Sequence, residues 1–435
     1  MTKLYSAIAK SMGSKYLAYA VQFASLMLLS RWFSPETFGL VAAVQVFYVF
    51  FQLVAEGGLG PAVIGLHQLN RRDRDGIYGL TVLGGLVLGT GFVLLGPVLA
   101  HYYGMPKLTM VAPYIAVGLV FNAWGILPTT LLLRQQAFFQ LALASLVAEC
   151  IALATIFLTK PHIDPLHALS LRLPLVALVT FGLQYFFSRK TEFGQPRPGL
   201  HFVAIRPLLR VAGYQLAFNI VNYFSRNLDN VLVGRYLGAF QLGIYDRSYQ
   251  LMRYPLQLLT FAMTPAIQPV LRGHSNDPGL VRKLHEDLTV KLSLLGVACA
   301  TAIYFFGKPI ILVAFGSQWV SAVPVIKLLA LAIPVQVVLS TSGSFFQVFN
   351  RTDLLLLCGV LSTALNVTAI IWGVAQGSLE DLCWALFVSF HVNFLLAYFV
   401  LHRFIFAGGF AHFLRKMLPA AISVGMLVGW HFFRE

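Results

Sequence analysis

Apolar runs long enough to cross a bilayer recur from about residue 14 to residue 432. A transmembrane helix needs about 20 largely apolar residues. Thirteen segments meet or approach this length, at approximately 14–32, 38–66, 77–99, 109–132, 138–159, 166–188, 208–234, 244–271, 286–306, 320–349, 354–374, 379–402 and 414–433. Of the 435 residues, 58% are hydrophobic and 11% charged, which excludes a soluble globular protein. The sequence therefore predicts an all-α polytopic membrane protein.

The basic residues indicate which way the helices run. The formal net charge is +15, but Lys and Arg are spread thinly over short loops, which argues against a nucleic-acid-binding domain. If the amino terminus is inside, 20 of the 31 Lys and Arg residues fall on inner segments and 6 on outer ones. Because cytoplasmic loops carry an excess of Lys and Arg, we expect the amino terminus in the cytoplasm.

The chain repeats itself at an offset of 204 residues without a gap. Arg31 aligns with Arg235, Gly39 with Gly243, and 61–63 with 265–267. Six predicted crossings separate the copies, so both enter the membrane in the same direction and form a parallel repeat. We predict two six-helix lobes plus one extra carboxyl-terminal helix. The predicted boundaries are 1–190 for the amino-terminal lobe, 191–207 for the cytoplasmic inter-lobe linker, 208–402 for the carboxyl-terminal lobe and 403–435 for the additional helix.

In both predicted lobes, the second helix is interrupted at a similar position along its length. The first contains the string EGGLGP at 56–61, and the second contains several prolines. Interrupted helices at matching places often flank a substrate path, although Gly and Pro in membrane helices also serve packing and kinks alone. The candidate helix-break or gating residues are Gly57, Gly58, Gly60, Pro61, Pro255 and Pro265.

A stripe of polar side chains follows one face of the seventh predicted helix, at spacings of 4, 3, 4 and 3 residues. Its members are Gln215, Asn219, Asn222, Arg226 and Asp229. A weaker stripe on helix one includes Gln22, and a stripe on helix eight includes Arg253 and Gln257. Both lobes are thus predicted to turn a polar face inward.

The arginines on these stripes have two interpretations. A charge at the centre of a spanning helix costs about 2.5–3.5 kcal/mol on insertion scales, so Arg226 is not expected to face lipid. Either Arg226 pairs with Asp229 and only locks helices together, or Arg226 and Arg253 are cationic anchors in a watery cavity, where guanidinium groups suit a phosphate. The candidate substrate-binding residues are Arg226, Arg253, Asn222, Asn219, Gln257 and Gln22.

Three carboxylates in apolar stretches, Asp229, Glu56 and Glu149, are candidates for ion coupling. Each could titrate and couple transport to protons or sodium, or could equally be the permanent partner of an arginine. The four cysteines lie in apolar stretches without short Cys/His spacing, so we expect neither a metal site nor a disulfide frame. No catalytic residue is predicted, and no cofactor beyond a coupling proton or sodium ion.

Several strings resemble the polysaccharide transporter family, the Wzx-type flippases of the multidrug/oligosaccharidyl-lipid/polysaccharide exporter (MATE-like) superfamily. They are LSRWFSPETFGLVAA at 29–43, EGGLGPAVI at 56–64, NLDNVLVGRYLGAFQLGIYDRSYQLMRYPLQ at 227–257 and KPIILVAFGSQW at 308–319. By the motif match, the residues that carry over are Asp229, Asn230, Gly234, Arg235, Gly243, Tyr245 and Pro255. Family members commonly have 12 or 14 helices, whereas 13 are counted here.

The resemblance implies a non-enzymatic flippase in the bacterial cytoplasmic (inner) membrane. Its substrate would be an undecaprenyl-diphosphate-linked oligosaccharide, turned over by alternating access through a cationic central cavity. The implied partners are that lipid-linked oligosaccharide, membrane lipids and, further, polysaccharide polymerase and chain-length proteins. A lipid II flippase and a drug or cation antiporter of the same superfamily remain alternatives. An enzyme of the same pathway is disfavoured because every predicted outer loop is short.

Overall fold

The computed structural model of the protein describes residues 20–66, 69–201, 223, 227–261, 264, 267, 271, 273 and 277–434. All regular secondary structure within these ranges is helical. Contacts divide the chain into unit 1, Met1–Gly243, and unit 2, Ile244–Glu435. The lobe boundaries predicted from the sequence stay a prediction, because 202–222 lies outside the described residues.

Unit 1 contains nine helices in its described part and the start of a tenth. They are α1 (20–32), α2 (Pro35–Glu56), α3 (Leu59–Ile64), α4 (Arg71–Tyr103), α5 (Leu108–Arg134), α6 (Phe138–Thr159), α7 (Pro165–Ser170), α8 (Arg172–Ser188), α9 (227–236) and the beginning of α10 (Gly238–Leu256). Helix α5 lies at the centre, because α2, α4 and α8 all pack on it.

Unit 2 takes up the rest of α10, which continues into a π-helical turn at Gln257–Phe261. The helices that follow are α11 (Pro278–Ala314), α12 (Ala322–Leu331), α13 (Ile333–Val348), α14 (Thr352–Ala375), α15 (Leu379–Phe404) and α16 (Phe410–Arg434). Helix α11 packs against α12, α13 and α16, and α14 packs against α15.

Among the described residues, nine helices, with α7 and α8 taken as one span, are long and apolar enough to cross a membrane. Helices α12 and α13, which meet at a bend of 52°, bring the number to ten when the pair is taken as one span. These ten match ten of the thirteen predicted segments, and the other three, 14–32, 208–234 and 244–271, include residues outside the described part. The all-helical membrane fold is confirmed, and α16 lies where the extra carboxyl-terminal helix was predicted.

The ends of α2 follow from local sequence. Its first turn is capped by Ser34, whose side chain accepts a hydrogen bond from the backbone N–H of Thr37, and Pro35 occupies a position where no intrahelical N–H is needed. The helix ends at Gly57 and Gly58, with φ angles of 47° and 73° that L-residues rarely adopt. The interruption predicted from EGGLGP therefore lies at these two glycines, and α3 begins immediately after them.

Small residues allow α4 and α5 to approach closely. A Cβ atom added to Gly89 would lie 2.5 Å from a Val120 side-chain atom, and one added to Gly96 would lie 2.7 Å from the Cβ of Ala112. Such contacts between small residues drive helix association in membranes, where burial from water gives no advantage. This tight pair forms the scaffold behind the cavity described next.

Candidate functional site

A cavity of about 550 Å³ lies within unit 1 among α2, α3, α5 and α8. One side of its lining is apolar and aromatic, with Phe121 and Phe181. Its polar lining residues are Gln52, Glu56, Asn122, Thr129, Thr130, Thr180 and Gln184. A concave site with a few convergent polar groups is the usual form of a ligand-binding site.

Glu56 is the charged group of this cavity. It is the last residue of α2, so the helix break at Gly57 leaves its side chain at the cavity instead of within a continuous helix. The Nε2 of Gln52, one turn earlier, donates to its Oε1 at 3.4 Å. Among the described residues that line the cavity, none is Lys or Arg. The site thus presents a carboxylate and neutral oxygens, which suit a proton or a small cation.

The opposite wall of the cavity is a preformed network of polar groups. The Thr129 hydroxyl donates to Oε1 of Gln184 at 2.6 Å, and Gln184 is buried. The Asn122 amide donates to the Gly118 carbonyl at 2.9 Å and also to the Tyr48 hydroxyl. These bonds fix which oxygens face the cavity.

Sequence reasoning missed five of the polar lining residues, and the hydrogen-bonded ones among them are Asn122, Thr129, Thr130 and Gln184. A signal for two of them was present, since Asn122 and Thr129 are seven residues apart in an apolar span and therefore share one helix face. Gln184 lies four residues after Thr180 on the same face of α8, which was a signal of the same kind, and the packing of α8 on α5 brings Gln184 to Thr129.

The second carboxylate candidate, Glu149 on α6, has a cation partner. Both Nε and Nη2 of Arg172 donate to its Oε1, at 3.0 and 2.9 Å, and the Ser25 hydroxyl donates to the same oxygen. Only 6% of Glu149 is exposed. The arrangement ties α1, α6 and α8 together and matches the interpretation of Glu149 as the permanent partner of an arginine.

The third carboxylate candidate, Asp229 on α9, is 4% exposed. Its Oδ1 accepts a hydrogen bond from the backbone N–H of Asn230 at 2.8 Å. The three candidates thus lie in different surroundings, and of these only Glu56 opens on the cavity.

The predicted substrate-binding residues are partly described. Arg226, Asn222 and Asn219, like the break residue Pro265, lie outside the described residues. Gln22 is an exposed residue of α1 in unit 1.

Arg253 and Gln257 belong to unit 2. Arg253 is exposed on α10, and its guanidinium carbon lies 5.1 Å from the Tyr249 ring centroid. Gln257 begins the π-helical turn that follows Pro255, a residue that cannot donate a backbone hydrogen bond. Arg247 differs from Arg253, because it is buried and pairs with Asp246 at 3.3 Å.

Comparison with curated proteins finds relatives over most of the chain. The chain is 23% identical over 378 residues to the teichuronic acid biosynthesis protein TuaB of Bacillus subtilis (strain 168), which covers 87% of this chain and 78% of that protein. It is 22% identical over 407 residues to the lipopolysaccharide biosynthesis protein WzxC of Escherichia coli (strain K12). This match covers 93% of this chain and 82% of that protein.

Solved structures share the fold. The lipid II flippase MurJ in an inward closed conformation aligns with a TM-score of 0.75 and 11% identity over 98% of both chains. An inward-facing multidrug resistance transporter of the MATE family aligns with a TM-score of 0.63 and 13% identity, over 93% of this chain and 95% of that one. At such identities the likeness concerns the fold alone.

The family model described as polysaccharide biosynthesis protein matches residues 28–324, more than half of the chain. The resemblance read from the sequence motifs is thereby confirmed. With at least nine helices among its described residues that are long and apolar enough to cross a membrane, and with relatives from bacteria, the protein is a multi-pass bacterial membrane protein that belongs to the polysaccharide biosynthesis protein family.

Proposed function

We propose that the protein is a flippase that moves an undecaprenyl-diphosphate-linked oligosaccharide repeat unit from the inner to the outer leaflet. Its membership of the polysaccharide biosynthesis protein family carries this proposal. The names of its relatives point the same way, since one is a succinoglycan biosynthesis transport protein of Rhizobium meliloti (strain 1021). The basic residues of the short loops support a location in the cytoplasmic membrane with the amino terminus inside.

The transport step needs no covalent chemistry. A diphosphate and a sugar chain are too polar to cross hydrocarbon, whereas the lipid tail can remain in it. The protein has only to offer a polar path and to open it alternately to the two sides. Arg226 and Arg253 are proposed to hold the diphosphate on this path, because guanidinium groups form paired hydrogen bonds with phosphate oxygens.

Glu56 is the residue that we propose for ion coupling. Its carboxylate opens on a cavity with neutral polar walls, and the described lining residues offer no cation to neutralise it. A proton or a sodium ion would compensate the charge, and the helix break beside it provides a place where a change of charge can move a helix. Glu149 is the weaker candidate because Arg172 already compensates it.

Lipid II flippases and multidrug antiporters share the fold, but their likeness to this chain is at the level of the fold only. The curated relatives are named instead for teichuronic acid and lipopolysaccharide biosynthesis. These names favour a surface or capsular glycan intermediate as the substrate.

Deletion of the gene tests the proposal. The deletion strain should lose one surface polysaccharide and accumulate its lipid-linked repeat unit on the inner leaflet, and the cloned gene should restore export. Accumulation of lipid II with arrest of cell-wall synthesis would indicate a lipid II flippase instead. Normal glycan export with increased sensitivity to cationic dyes would indicate an antiporter.

A further inference from the structure

The segment 191–201, which follows α8, lies directly on the backbone of α4. A Cβ atom added to Gly79 would lie 1.8 Å from the carbonyl oxygen of Gly199, and one added to Gly76 would lie 2.0 Å from that of His201. Neither position has room for a side chain, so the two glycines of α4 permit the contact. The sequence predicted a polar connection between lobes here, yet this part of it is packed on unit 1.

A buried arginine and its partly exposed carboxylate partner fix the segment at the start of α4. The side chain of Arg74 is 7% exposed, its Nη2 lies 2.7 Å from Oδ1 of Asp75, and its Nη1 donates to the carbonyl of Phe193. Asp75 in turn accepts the backbone N–H of Arg197 on Oδ1 and that of Gly199 on its carbonyl oxygen, each at 2.9 Å. Because a buried guanidinium is costly when it loses partners, this attachment is hard to break.

The same segment reaches α3 through Arg134, the last residue of α5. The guanidinium carbon of Arg134 lies 4.7 Å from the ring centroid of Phe193, and its Nη1 donates to the carbonyl of Val63 at 2.9 Å. Val63 belongs to α3, the short helix after the break at Gly57 and Gly58. Phe193 therefore supports the arginine that holds the end of α3.

A third attachment joins the segment to α8. The Tyr185 hydroxyl donates to the carbonyl of Pro196 at 3.0 Å, and Nε2 of Gln195 donates to the carbonyl of Tyr185 at 3.3 Å. The side chains of Tyr185 and Phe193 also pack against a buried apolar cluster that includes Val63 and Leu131. The segment is thus attached to α4, α5 and α8, and through Arg134 to α3.

Three of the connected elements, α3, α5 and α8, form walls of the cavity in unit 1. Gly60 of α3 and Leu133 near the end of α5 both line it. We propose that residues 191–201 form a clasp that remains fixed to unit 1 and holds α3 in place as a wall of the cavity. The attachment of residues 191–201 and its effect on α3 do not depend on what the protein transports. The role of the cavity during transport rests on the proposed function.

Hydrogen–deuterium exchange of the purified protein in nanodiscs tests the clasp without any transport measurement. Arg74→Ala and Phe193→Ala should each raise the exchange rate of the α3 amides at least about tenfold, and the milder Tyr185→Phe should raise it less. Arg72→Ala is the matched control, because Arg72 is an exposed arginine of the same helical turn. Equal α3 exchange in the wild type and all four variants would refute the clasp.

A reversible disulfide tests whether the clasp stays fixed. A Cβ atom on Gly199 would lie 3.2 Å from the Cβ of Asp75, close to the separation that a disulfide needs. In a background with the four native cysteines replaced, Asp75→Cys/Gly199→Cys should export glycan at least as well when oxidised as when reduced, because the disulfide replaces the attachment that the Asp75 carboxylate provides. Loss of export on oxidation and recovery on reduction would show that the segment must release, which overturns a fixed clasp.

The two measurements separate this proposal from the proposed function. If the protein does not export glycan at all, the exchange experiment still decides whether the segment holds α3. If export is confirmed and the exchange rate of the α3 amides is unchanged in Arg74→Ala and Phe193→Ala, the proposed flippase function is supported and the clasp is refuted.

Discussion

Gly39 of α2 and Gly243 of α10 lie in direct backbone contact within unit 1. A Cβ atom on Gly39 would lie 1.7 Å from the carbonyl oxygen of Ala239, and one on Gly243 would lie 1.9 Å from that of Pro35. Gly39 and Gly243 are 204 residues apart, as are Pro35 and Ala239. Each glycine therefore contacts the carbonyl of the residue that stands, at the 204-residue offset, four positions before its partner.

The contact between Gly39 and Gly243 leaves no room for a larger side chain at either position. Gly39→Ala and Gly243→Ala should each lower the melting temperature of the purified protein by several degrees. An exposed helical Gly→Ala change normally stabilises by about 1 kcal/mol, but overpacking against a backbone costs about 1–3 kcal/mol. Gly84→Ala is the control, because no atom lies within 4 Å of a Cβ placed there. Equal melting temperatures for all three variants would contradict the close contact.

Removing one partner of the ion pair between the buried Glu149 and the partly exposed Arg172 should lower the stability of the protein more than replacing both partners. Arg172→Ala leaves a carboxylate uncompensated and should destabilise the protein by about 3–5 kcal/mol. The double variant Glu149→Leu/Arg172→Leu should recover most of that loss, because no unpaired charge remains. A melting series of the two single variants and the double variant measures this coupling. Additive losses would mean that the residues do not act as a pair.

Removal of the cavity carboxylate should affect transport and leave stability unchanged. Glu56→Gln keeps the size of the side chain and its contact with Gln52, so the melting temperature should stay within about 1 °C, while glycan export and its response to an ion gradient should fall at least about tenfold. Glu36→Gln, at the exposed first turn of α2, is the matched control. Export that is normal in Glu56→Gln and still follows the ion gradient would remove Glu56 from ion coupling.

Arg226 and Arg253, the proposed diphosphate anchors, should need the planar guanidinium group as well as its positive charge. Arg226→Ala and Arg253→Ala should abolish surface glycan while the proteins still insert, and the Lys variants should restore part of the export. A lysine supplies a point charge but lacks the planar fork that binds two phosphate oxygens. Arg403, an exposed arginine near an aromatic ring in unit 2, serves as the control. Normal export in both Ala variants would defeat the anchor role.

Much of the fold could be predicted from hydrophobic length and punctuation. Apolar runs of the required length fix where spans lie, and the pair Gly57 and Gly58 fixes a break, since both adopt positive φ. The 52° bend between α12 and α13 was not predicted, although Pro334 in the first turn of α13 was a signal for it.

The site was harder to predict because its parts come from different helices. The pairing of Glu149 with Arg172 required the packing of α6 on α8, and a sequence alone leaves both candidate roles of the carboxylate open. The clasp was missed because polar, proline-containing connections usually indicate a flexible linker. A signal was present in α4, where Gly76 and Gly79 share a face on which another backbone can approach closely.

The extra carboxyl-terminal helix gives the last prediction. Glu286 of α11 is buried, its side chain 3% exposed, and its Oε2 accepts a hydrogen bond from Nζ of Lys416 on α16 at 2.7 Å. Lys416→Met should leave that carboxylate with weaker partners, Arg282 at 3.7 Å and His412 at 3.9 Å, and should loosen α16. Limited proteolysis in detergent should then release the carboxyl-terminal fragment at least about tenfold faster than in the wild type.

Glu286→Gln/Lys416→Met distinguishes an ionic anchor from simple packing of α16. If the ion pair holds the helix mainly by avoiding an uncompensated charge, the double variant should resist the protease better than Lys416→Met alone. Arg415→Met, the adjacent basic residue, is the control and should behave like the wild type. A Lys416→Met protein as resistant as the Arg415→Met control would mean that apolar packing, including the contact of Tyr304 with His431, is sufficient to hold α16 on α11.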